Sequence, residues 1–229
     1  MNLALIGYGK MGQMVEQLAT VRGHQITFKV DIEGNEQGQA LTRENLAGAD
    51  VAVNFSTPDS VVLAIDKVSA AGVNMVVGTT GWTSQLEEVR RMINGRNVAL
   101  VYGSNFSIGV NLFFRLAQQA AEMFHEYAEY DPWIYEIHHR AKLDAPSGTA
   151  LKLEQIVEKE YADKKIVPAS NRAGAHPGEH TLGFDSDADT LTITHTARSR
   201  VGFAIGALRA AEWVRGKKGV YEFSETLEK

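Results

Sequence analysis

The residues best suited to chemistry lie in one segment, Glu136-Ile137-His138-His139-Arg140-Ala141-Lys142-Leu143-Asp144-Ala145-Pro146-Ser147-Gly148-Thr149. It places two histidines and two cations just before Pro-Ser-Gly-Thr, a sequence typical of a helix start. Backbone N–H groups at such a start, with the Ser147 and Thr149 hydroxyls, would bind a carboxylate or phosphate. A neighbouring histidine could exchange a proton near neutral pH.

Two less specific interpretations of this segment stay open. It could be the basic end of a strand before a well-capped helix, with His138 and His139 on opposite faces of the strand. A metal site is the other, with ligands chosen from His138, His139, His176, His180 and His195. No pair of these has helical metal-ligand spacing and the chain has no cysteine. We therefore predict no metal site.

A second candidate site is the loop Gly7-Tyr8-Gly9-Lys10-Met11-Gly12, which follows an apolar run and precedes a helical pattern. Glycines in this arrangement permit a tight turn, close approach of a pyrophosphate and close packing of the helix. The alternative is that they serve only the turn. We expect all six residues to bind a dinucleotide at the helix start.

Asp31 lies 19 residues after Gly12, at the end of a predicted strand, where a carboxylate can accept the ribose hydroxyls. The same carboxylate would repel a 2′-phosphate, so we expect NADH to be favoured over NADPH or equal to it. Lys10 and Lys29 are close in sequence and could soften this preference, although both are typical surface lysines. A second glycine loop, Gly78-Thr79-Thr80-Gly81, follows another predicted strand and would face the same crevice.

Alternating strands and helices position these loops. In the first hundred residues the predicted strands are 3–6, 25–30, 51–55, 74–77 and 97–102, and the helical patterns are 11–22, the segment from Pro58, and 84–93. This alternation is typical of a parallel sheet covered on both faces, a Rossmann-type α/β domain.

The pattern changes after residue 106, where we predict an α+β domain with a mixed open sheet. Its predicted helices are 108–124 and the segment from Pro146 to about Tyr161, its strands are 133–139, 180–184 and 190–197, and 171–179 reads as a loop. A last helix, 203–214, has the spacing of an element packed on a sheet. The predicted domains are 1–106 with 203–229 for the dinucleotide, and 107–202 for substrate binding and oligomerisation.

Composition excludes several classes of protein. The chain has 229 residues, 44% of them apolar, and a formal net charge of -5, which argues against a nucleic-acid or anionic-membrane binder. Without cysteine there is no thiol catalysis and no disulfide. No segment is typical of a signal peptide or a membrane span, so a soluble cytoplasmic protein is expected.

These motifs together resemble one family, the 4-hydroxy-tetrahydrodipicolinate (dihydrodipicolinate) reductases of bacterial lysine and diaminopimelate synthesis. The resemblance runs nearly end to end. Beyond the segments above it includes Ser104-Asn105-Phe106-Ser107-Ile108-Gly109-Val110-Asn111, Gly178-Glu179-His180 and Ile193-Thr194-His195-Thr196-Ala197. It implies NADH- or NADPH-dependent reduction of a cyclic imine dicarboxylate to tetrahydrodipicolinate, by a homotetramer assembled through the sheet of the second domain.

The resemblance also implies roles for individual residues. His138 would be the acid/base and Lys142 the proton donor. The substrate carboxylates would be bound by His139, Ser147, Gly148 and Thr149. The dinucleotide would be lined by residues 7–12, Asp31, Gly78, Thr79, Thr80, Gly103, Ser104, Asn105 and Phe106.

The chain departs from the family pattern in two respects. Many members have a longer glycine loop containing Arg, and this chain is also somewhat short, which leaves the choice between NADH and NADPH open. Two other functions compete with the reductase. Another small Rossmann oxidoreductase would need a nucleophilic Cys or a different acid/base pair, and a dinucleotide-sensing module would give His138 and Lys142 no role.

Overall fold

Short runs of β-branched and other apolar residues build the sheet of the first of two units. The computed structural model describes residues 1–31 and 33–228. The chain divides into Met1–Ile108 with Val201–Lys229 and a second unit, Gly109–Arg200. The described part of the first unit has six strands: β1 (Asn2–Ile6), β2 (Gln25–Val30), β3 (Val51–Asn54), β4 (Asn74–Val77), β5 (Ala99–Tyr102) and β10 (Gly219–Glu222).

All neighbours in this sheet are parallel, in the order β10-β5-β4-β3-β1-β2. Alternate residues of β1 serve opposite faces, so that Leu3 and Leu5 enter one core while Ala4 and Ile6 enter the other. The helices that supply these cores are α1 (Lys10–Val21) and α6 (Val201–Trp213) on one face, and α2 (Pro58–Ala70) and α3 (Leu86–Asn94) on the other. The strand order reverses beside β1, which is where open α/β sheets bind ligands.

The second unit is an α+β structure with a four-stranded mixed sheet in its described residues. Its elements are α4 (Ile108–Phe124), β6 (Asp131–His138), α5 (Gly148–Glu158), β7 (Ala169–Arg172), β8 (Glu179–Asp185) and β9 (Thr190–Thr196). The strand order is β7-β6-β8-β9, with β6 parallel to β7 and the other pairs antiparallel. Both helices pack on one face, where Phe113 and Leu153 contact a core formed with Ile134, Leu182 and Phe184.

The predicted fold class is confirmed, with corrections at two strands. Residues 171–179 were predicted as a loop, but Asn171 and Arg172 end β7 and Glu179 begins β8. Strand β10 was not predicted. Both strands lie at the edge of a sheet, and β7 is polar and largely exposed, so no hydrophobic alternation marks it. Among the described helices, none is long and apolar enough to span a membrane.

Candidate active site

The carboxylate of Glu136 forms the centre of a polar cluster in the second unit. One face of β6 carries Ile134, Glu136 and His138, because side chains alternate between the two faces of a strand. All three are buried, on the face of the sheet where the helices pack. Glu136 is fully buried. Because a buried carboxylate needs hydrogen bonds to replace its lost hydration, the groups around Glu136 are held in place by it.

Three donors from two segments, the start of α5 and β7, converge on Oε1 of Glu136. The backbone N–H of Ser147 donates at 2.9 Å, the Ser170 hydroxyl at 2.8 Å and the Arg172 guanidinium at 2.8 Å. Burial raises the pKa of Glu136, but hydrogen bonds from Ser147, Arg172 and Ser170 outweigh it and bring the pKa down to about 2. The carboxylate is therefore ionised at neutral pH.

Two imidazoles face the other oxygen of this carboxylate. Oε2 lies 3.3 Å from His138 Nδ1 and 3.3 Å from His180 Nε2, and the two rings are 5.0 Å apart. His180 Nε2 is also 3.0 Å from the Ser147 hydroxyl. Burial lowers the pKa of His138, and it lowers the pKa of His180 to about 4. His180 is therefore neutral at pH 7.

The loop after β6 holds Lys142 at the edge of this cluster. Its ammonium donates to both carboxylate oxygens of Asp144, at 2.8 and 2.9 Å, and the hydrogen bond lowers the pKa of Asp144. Arg172, already bonded to Glu136, also donates to the Asp144 carbonyl at 2.5 Å. One guanidinium thus connects the buried carboxylate to the loop that presents the lysine.

The start of α5 has the capping predicted for it. Ser147 is the N-cap, and its hydroxyl accepts the N–H of Ala150 at 3.2 Å. Gly148 is exposed, and the space around its Cα is open. Backbone N–H groups in the first turn of a helix have no partner within the helix, so those of Gly148 and Thr149 are suited to bind an anion.

The other histidines make no hydrogen bond or ion pair with Glu136 among the described contacts, although His195 borders the cluster. His139 is half-buried, on the loop that follows β6. His176 Nδ1 accepts the N–H of Gly178 at 3.4 Å. His195 pairs with His180 in register but stacks against Phe113, 6.1 Å away. Of the histidines considered as metal ligands, only His138 and His180 lie together.

Sequence reasoning gave no role to Glu136, Ser170 or Arg172 and considered His180 only as a possible metal ligand. The available signal was the i, i+2 spacing of Glu136 and His138, which puts both on one face of a strand. One ligand atom from each of Glu136, His138 and His180 lies within 4.8 Å of the others, a spacing a cation could also use. Because the positive charge of Arg172 already compensates this carboxylate, we interpret the cluster as a hydrogen-bonded network.

In the first unit, the glycine loop forms the turn predicted for it. Gly7 has φ +84°, and a Cβ there would overlap the carbonyl of Phe55; a Cβ on Gly12 would overlap the carbonyl of Gly7. Gly9 caps α1, whose first turn comprises Lys10, Met11 and Gly12. The space beside Gly9, where no atom lies within 4 Å of an added Cβ, fits a pyrophosphate at a helix start.

Asp31 lies beside this loop, at the end of β2. Its carboxylate accepts the N–H of Tyr8 at 3.2 Å. Lys29 is engaged elsewhere, because its ammonium is 3.1 Å from the Glu16 carboxylate and 3.3 Å from the Tyr8 hydroxyl. Lys10 is exposed.

The second glycine loop and the segment after β5 line a cavity of about 300 Å³ at the carboxyl ends of β4 and β5. Its walls include Thr79, Thr80, Gly103 and Ser104. Gly78 packs against Phe55, whose ring a Cβ would overlap. The Asn105 side chain accepts the N–H of Ser107 at 2.9 Å, and Phe106 is buried against Phe55 and Phe223.

Comparison with known proteins gives concordant matches over the whole chain. The family model "Dihydrodipicolinate reductase, N-terminus" matches residues 1–106, and "Dihydrodipicolinate reductase, C-terminus" matches residues 109–227. The 4-hydroxy-tetrahydrodipicolinate reductase of Christiangramia forsetii is 40% identical over 99% of this chain and 98% of its own length. That of Archaeoglobus fulgidus is 34% identical over the full length of both.

A solved structure has the same fold. Dipicolinate-bound dihydrodipicolinate reductase from Paenisporosarcina sp. TG-14 matches with a TM-score of 0.84 and 24% identity, over 100% of this chain and 99% of its own.

A Rossmann-type unit with a glycine loop at a helix start, in one chain with a unit that carries a histidine and a lysine beside a second helix start, is typical of a nicotinamide-dinucleotide-dependent oxidoreductase. Both family models and the full-length relatives agree on the family of oxidoreductase to which the chain belongs. The chain belongs to the dihydrodipicolinate reductase family, and the resemblance seen in its sequence is confirmed.

Proposed function

We propose that this protein reduces the cyclic imine dicarboxylate derived from 4-hydroxy-tetrahydrodipicolinate to tetrahydrodipicolinate, in lysine and diaminopimelate synthesis. The observation that carries this proposal is the juxtaposition of His138, Lys142 and the start of α5 around one buried carboxylate. The names of its full-length relatives support the same reaction.

The dianionic substrate accounts for the cations and N–H donors of this unit. We assign its carboxylates to His139 and to the start of α5, where Ser147, Gly148 and Thr149 offer hydroxyl and N–H donors. Positive charge from Lys142 favours the same dianion. Asp144, which holds the lysine by hydrogen bonds, keeps it at the edge of the site.

Two groups of this chain move protons in the proposed reaction. When bound, the dinucleotide supplies the hydride. A proton must then reach the ring on the other side of the reduced bond, and Lys142 is the proposed donor because its ammonium can also stabilise developing negative charge. His138 is the proposed acid/base, since a histidine can exchange protons near neutral pH.

We assign the dinucleotide to the crevice of the first unit, held by residues 7–12, Asp31, Gly78, Thr79, Thr80 and residues 103–106. NADH is the proposed favoured or equal cofactor, because the Asp31 carboxylate would repel a 2′-phosphate. The engagement of Lys29 with Glu16 supports this preference, since that lysine is then less able to offset the repulsion.

The proposed assembly is a homotetramer formed through the second unit. The face of its sheet opposite α4 and α5 carries Trp133, which is 36% exposed and packs over Gly183. An exposed aromatic on an open sheet face is typical of an interface. Light scattering of the purified protein tests this assembly. A cytoplasmic location stays a prediction from sequence.

Oxidation of NADH by the purified protein, followed at 340 nm with freshly prepared substrate, tests the reaction. Turnover that depends on both compounds supports the proposal. Binding of NADH without turnover would instead favour a dinucleotide-sensing module. Turnover with an unrelated aldehyde or hydroxy acid, and none with the imine, would favour a different oxidoreductase.

A further inference from the structure

The buried carboxylate at the centre of the second unit has one oxygen that no described donor satisfies. We propose that Glu136 is the positioning residue of His138: its Oε2 keeps a proton on Nδ1 and so presents Nε2 as the reacting nitrogen. The inference rests on the proposed role of His138 as acid/base, but it can be tested without turnover.

Hydrogen-bond accounting leads to this assignment. Oε1 of Glu136 receives three donors, whereas Oε2 forms no hydrogen bond with the described residues although it is buried. His138 Nδ1, 3.3 Å away, is likewise buried and without a hydrogen bond. Buried polar atoms are nearly always paired, and an ionised carboxylate only accepts. A proton on Nδ1, shared with Oε2, satisfies both atoms.

His180 is the competing donor to the same oxygen, but it has another partner. Its Nε2 lies 3.0 Å from the Ser147 hydroxyl, compared with 3.3 Å from Oε2. The Ser147 hydroxyl accepts the N–H of Ala150, and its own proton is available for His180 Nε2. We assign His180 Nε2 as the acceptor of the Ser147 proton in this contact, which leaves Oε2 to His138.

The opposite edge of the His138 ring is left clear by a glycine. A Cβ on Gly178 would lie 3.0 Å from both Nε2 and Cδ2 of His138. Gly178 also has φ +129°, a backbone conformation that residues with a side chain rarely adopt. Space beside Nε2 is therefore kept open, as proton exchange at that nitrogen requires.

Charged groups from β6, the loop after it and β7 act on His138. Burial lowers the pKa of His138, and so do the charges of Lys142 and Arg172, whereas the charges of Glu136 and Asp144 raise it. The ring of His180 is close but neutral at pH 7, because burial brings its pKa down to about 4. A carboxylate behind Nδ1 thus stabilises the imidazolium that forms when Nε2 takes up a proton.

The tautomer of His138, measured by ¹⁵N NMR on the full-length protein, tests the inference. We expect the wild type to carry its neutral-state proton on Nδ1. In Glu136→Gln the proton should shift toward Nε2, and the pKa of His138 should fall because the carboxylate charge is removed. Glu122→Gln, which removes an exposed carboxylate on α4 of the same unit, should change neither.

Kinetics separates positioning from a structural role. Glu136→Gln should lower kcat by roughly 10- to 100-fold and shift the pH profile of kcat to lower pH, with the KM for NADH within about twofold. A wild-type ring protonated mainly on Nε2 would overturn the inference even if Glu136→Gln fails to fold. So would an unchanged tautomer and pH profile in a folded variant. His138→Gln with full turnover would overturn the proposed acid/base role of His138, whereas the absence of turnover in the wild type would overturn the proposed function.

Discussion

At the scale of single residues, Lys142 is distinguished by the way it is held. Its ammonium is bound by Asp144, a residue that Arg172 in turn fixes through its carbonyl. The lysine is therefore positioned by a chain of contacts that ends at Glu136, rather than extended freely into solvent. Such a group can act on charge that develops only in the transition state.

Lys142→Met should consequently lower kcat by roughly 100-fold or more while NADH binds as in the wild type. Steady-state kinetics and NADH titration by fluorescence measure the two effects. Lys152→Met, an exposed lysine on α5, is the matched control and should keep wild-type kcat. Near-normal turnover by Lys142→Met would contradict the assignment of this segment as the active site.

Asp31 is the residue on which the cofactor prediction depends. Replacing it by Ser should move the ratio of kcat/KM for NADPH over NADH upward by roughly tenfold, because a repulsive carboxylate is lost. Asp163→Ser, an exposed aspartate of the second unit, removes the same charge and should leave the ratio unchanged. If Asp31→Ser also leaves it unchanged, Asp31 does not contact the ribose.

At the scale of elements, the start of β8 and the end of β6 are matched to one another. Gly178 precedes β8, and its missing side chain leaves room for His138, the last residue of β6. Gly178 therefore has two roles: its positive φ leads the chain into β8, and its lack of a side chain leaves room for the His138 ring.

Gly178→Ala should therefore lower kcat by at least tenfold, because its Cβ would displace the His138 ring. Gly174→Ala is the matched control: that glycine also has positive φ, +51°, but no atom lies within 4 Å of its added Cβ. Both variants carry backbone strain of about 1 to 3 kcal/mol, larger at the φ of Gly178, so melting temperatures should fall in both and further in Gly178→Ala. Equal kcat values in the two variants would show that the contact with His138 is unimportant.

At the scale of the whole molecule, the buried network makes stability depend on pH. The pKa of His180 is about 4 in the folded protein, below its ordinary value of 6.5, so between these values the unfolded chain binds more protons. The free energy of unfolding therefore rises from pH 4 to pH 6.5, and His180 contributes up to roughly 3 kcal/mol to that rise. Glu136, with a pKa of about 2, loses its contribution only as pH falls below its ordinary 4.5.

His180→Gln should accordingly flatten this dependence between pH 6.5 and pH 4. The free energy of unfolding of the full-length protein, measured with denaturant at several pH values between 4 and 6.5, shows the effect. The wild type should lose stability on acidification and the variant should lose less, so that their difference shrinks toward pH 4. A difference between them that is constant with pH would show that His180 is not a buried neutral histidine in the folded protein.

Local patterns determined much of the molecule. Short apolar runs identify β1, β3, β4 and β5, because central strands of a parallel sheet are buried on both faces and need such residues. The edge strand β2 shows an alternation of exposed and half-buried residues instead. The turn at Gly7 was predictable for a similar reason, since only glycine fits its positive φ and its close approach to Phe55. The His138–Thr149 segment likewise identified itself by the types and spacing of its residues.

Only the tertiary structure decided the strands β7 and β10 and the partners of the buried charge. Strands β7 and β10 have four residues each and none of them is buried, so their sequences carry little burial pattern, and their pairing depends on a neighbouring strand distant in the chain. Ser147, Ser170, Arg172 and His180 reach Glu136 from 11 to 44 residues away along the chain. No local sequence pattern predicts these contacts with Glu136, because the packing of the whole unit, and not the periodicity of any one segment, brings the hydrogen-bond partners of a buried carboxylate together.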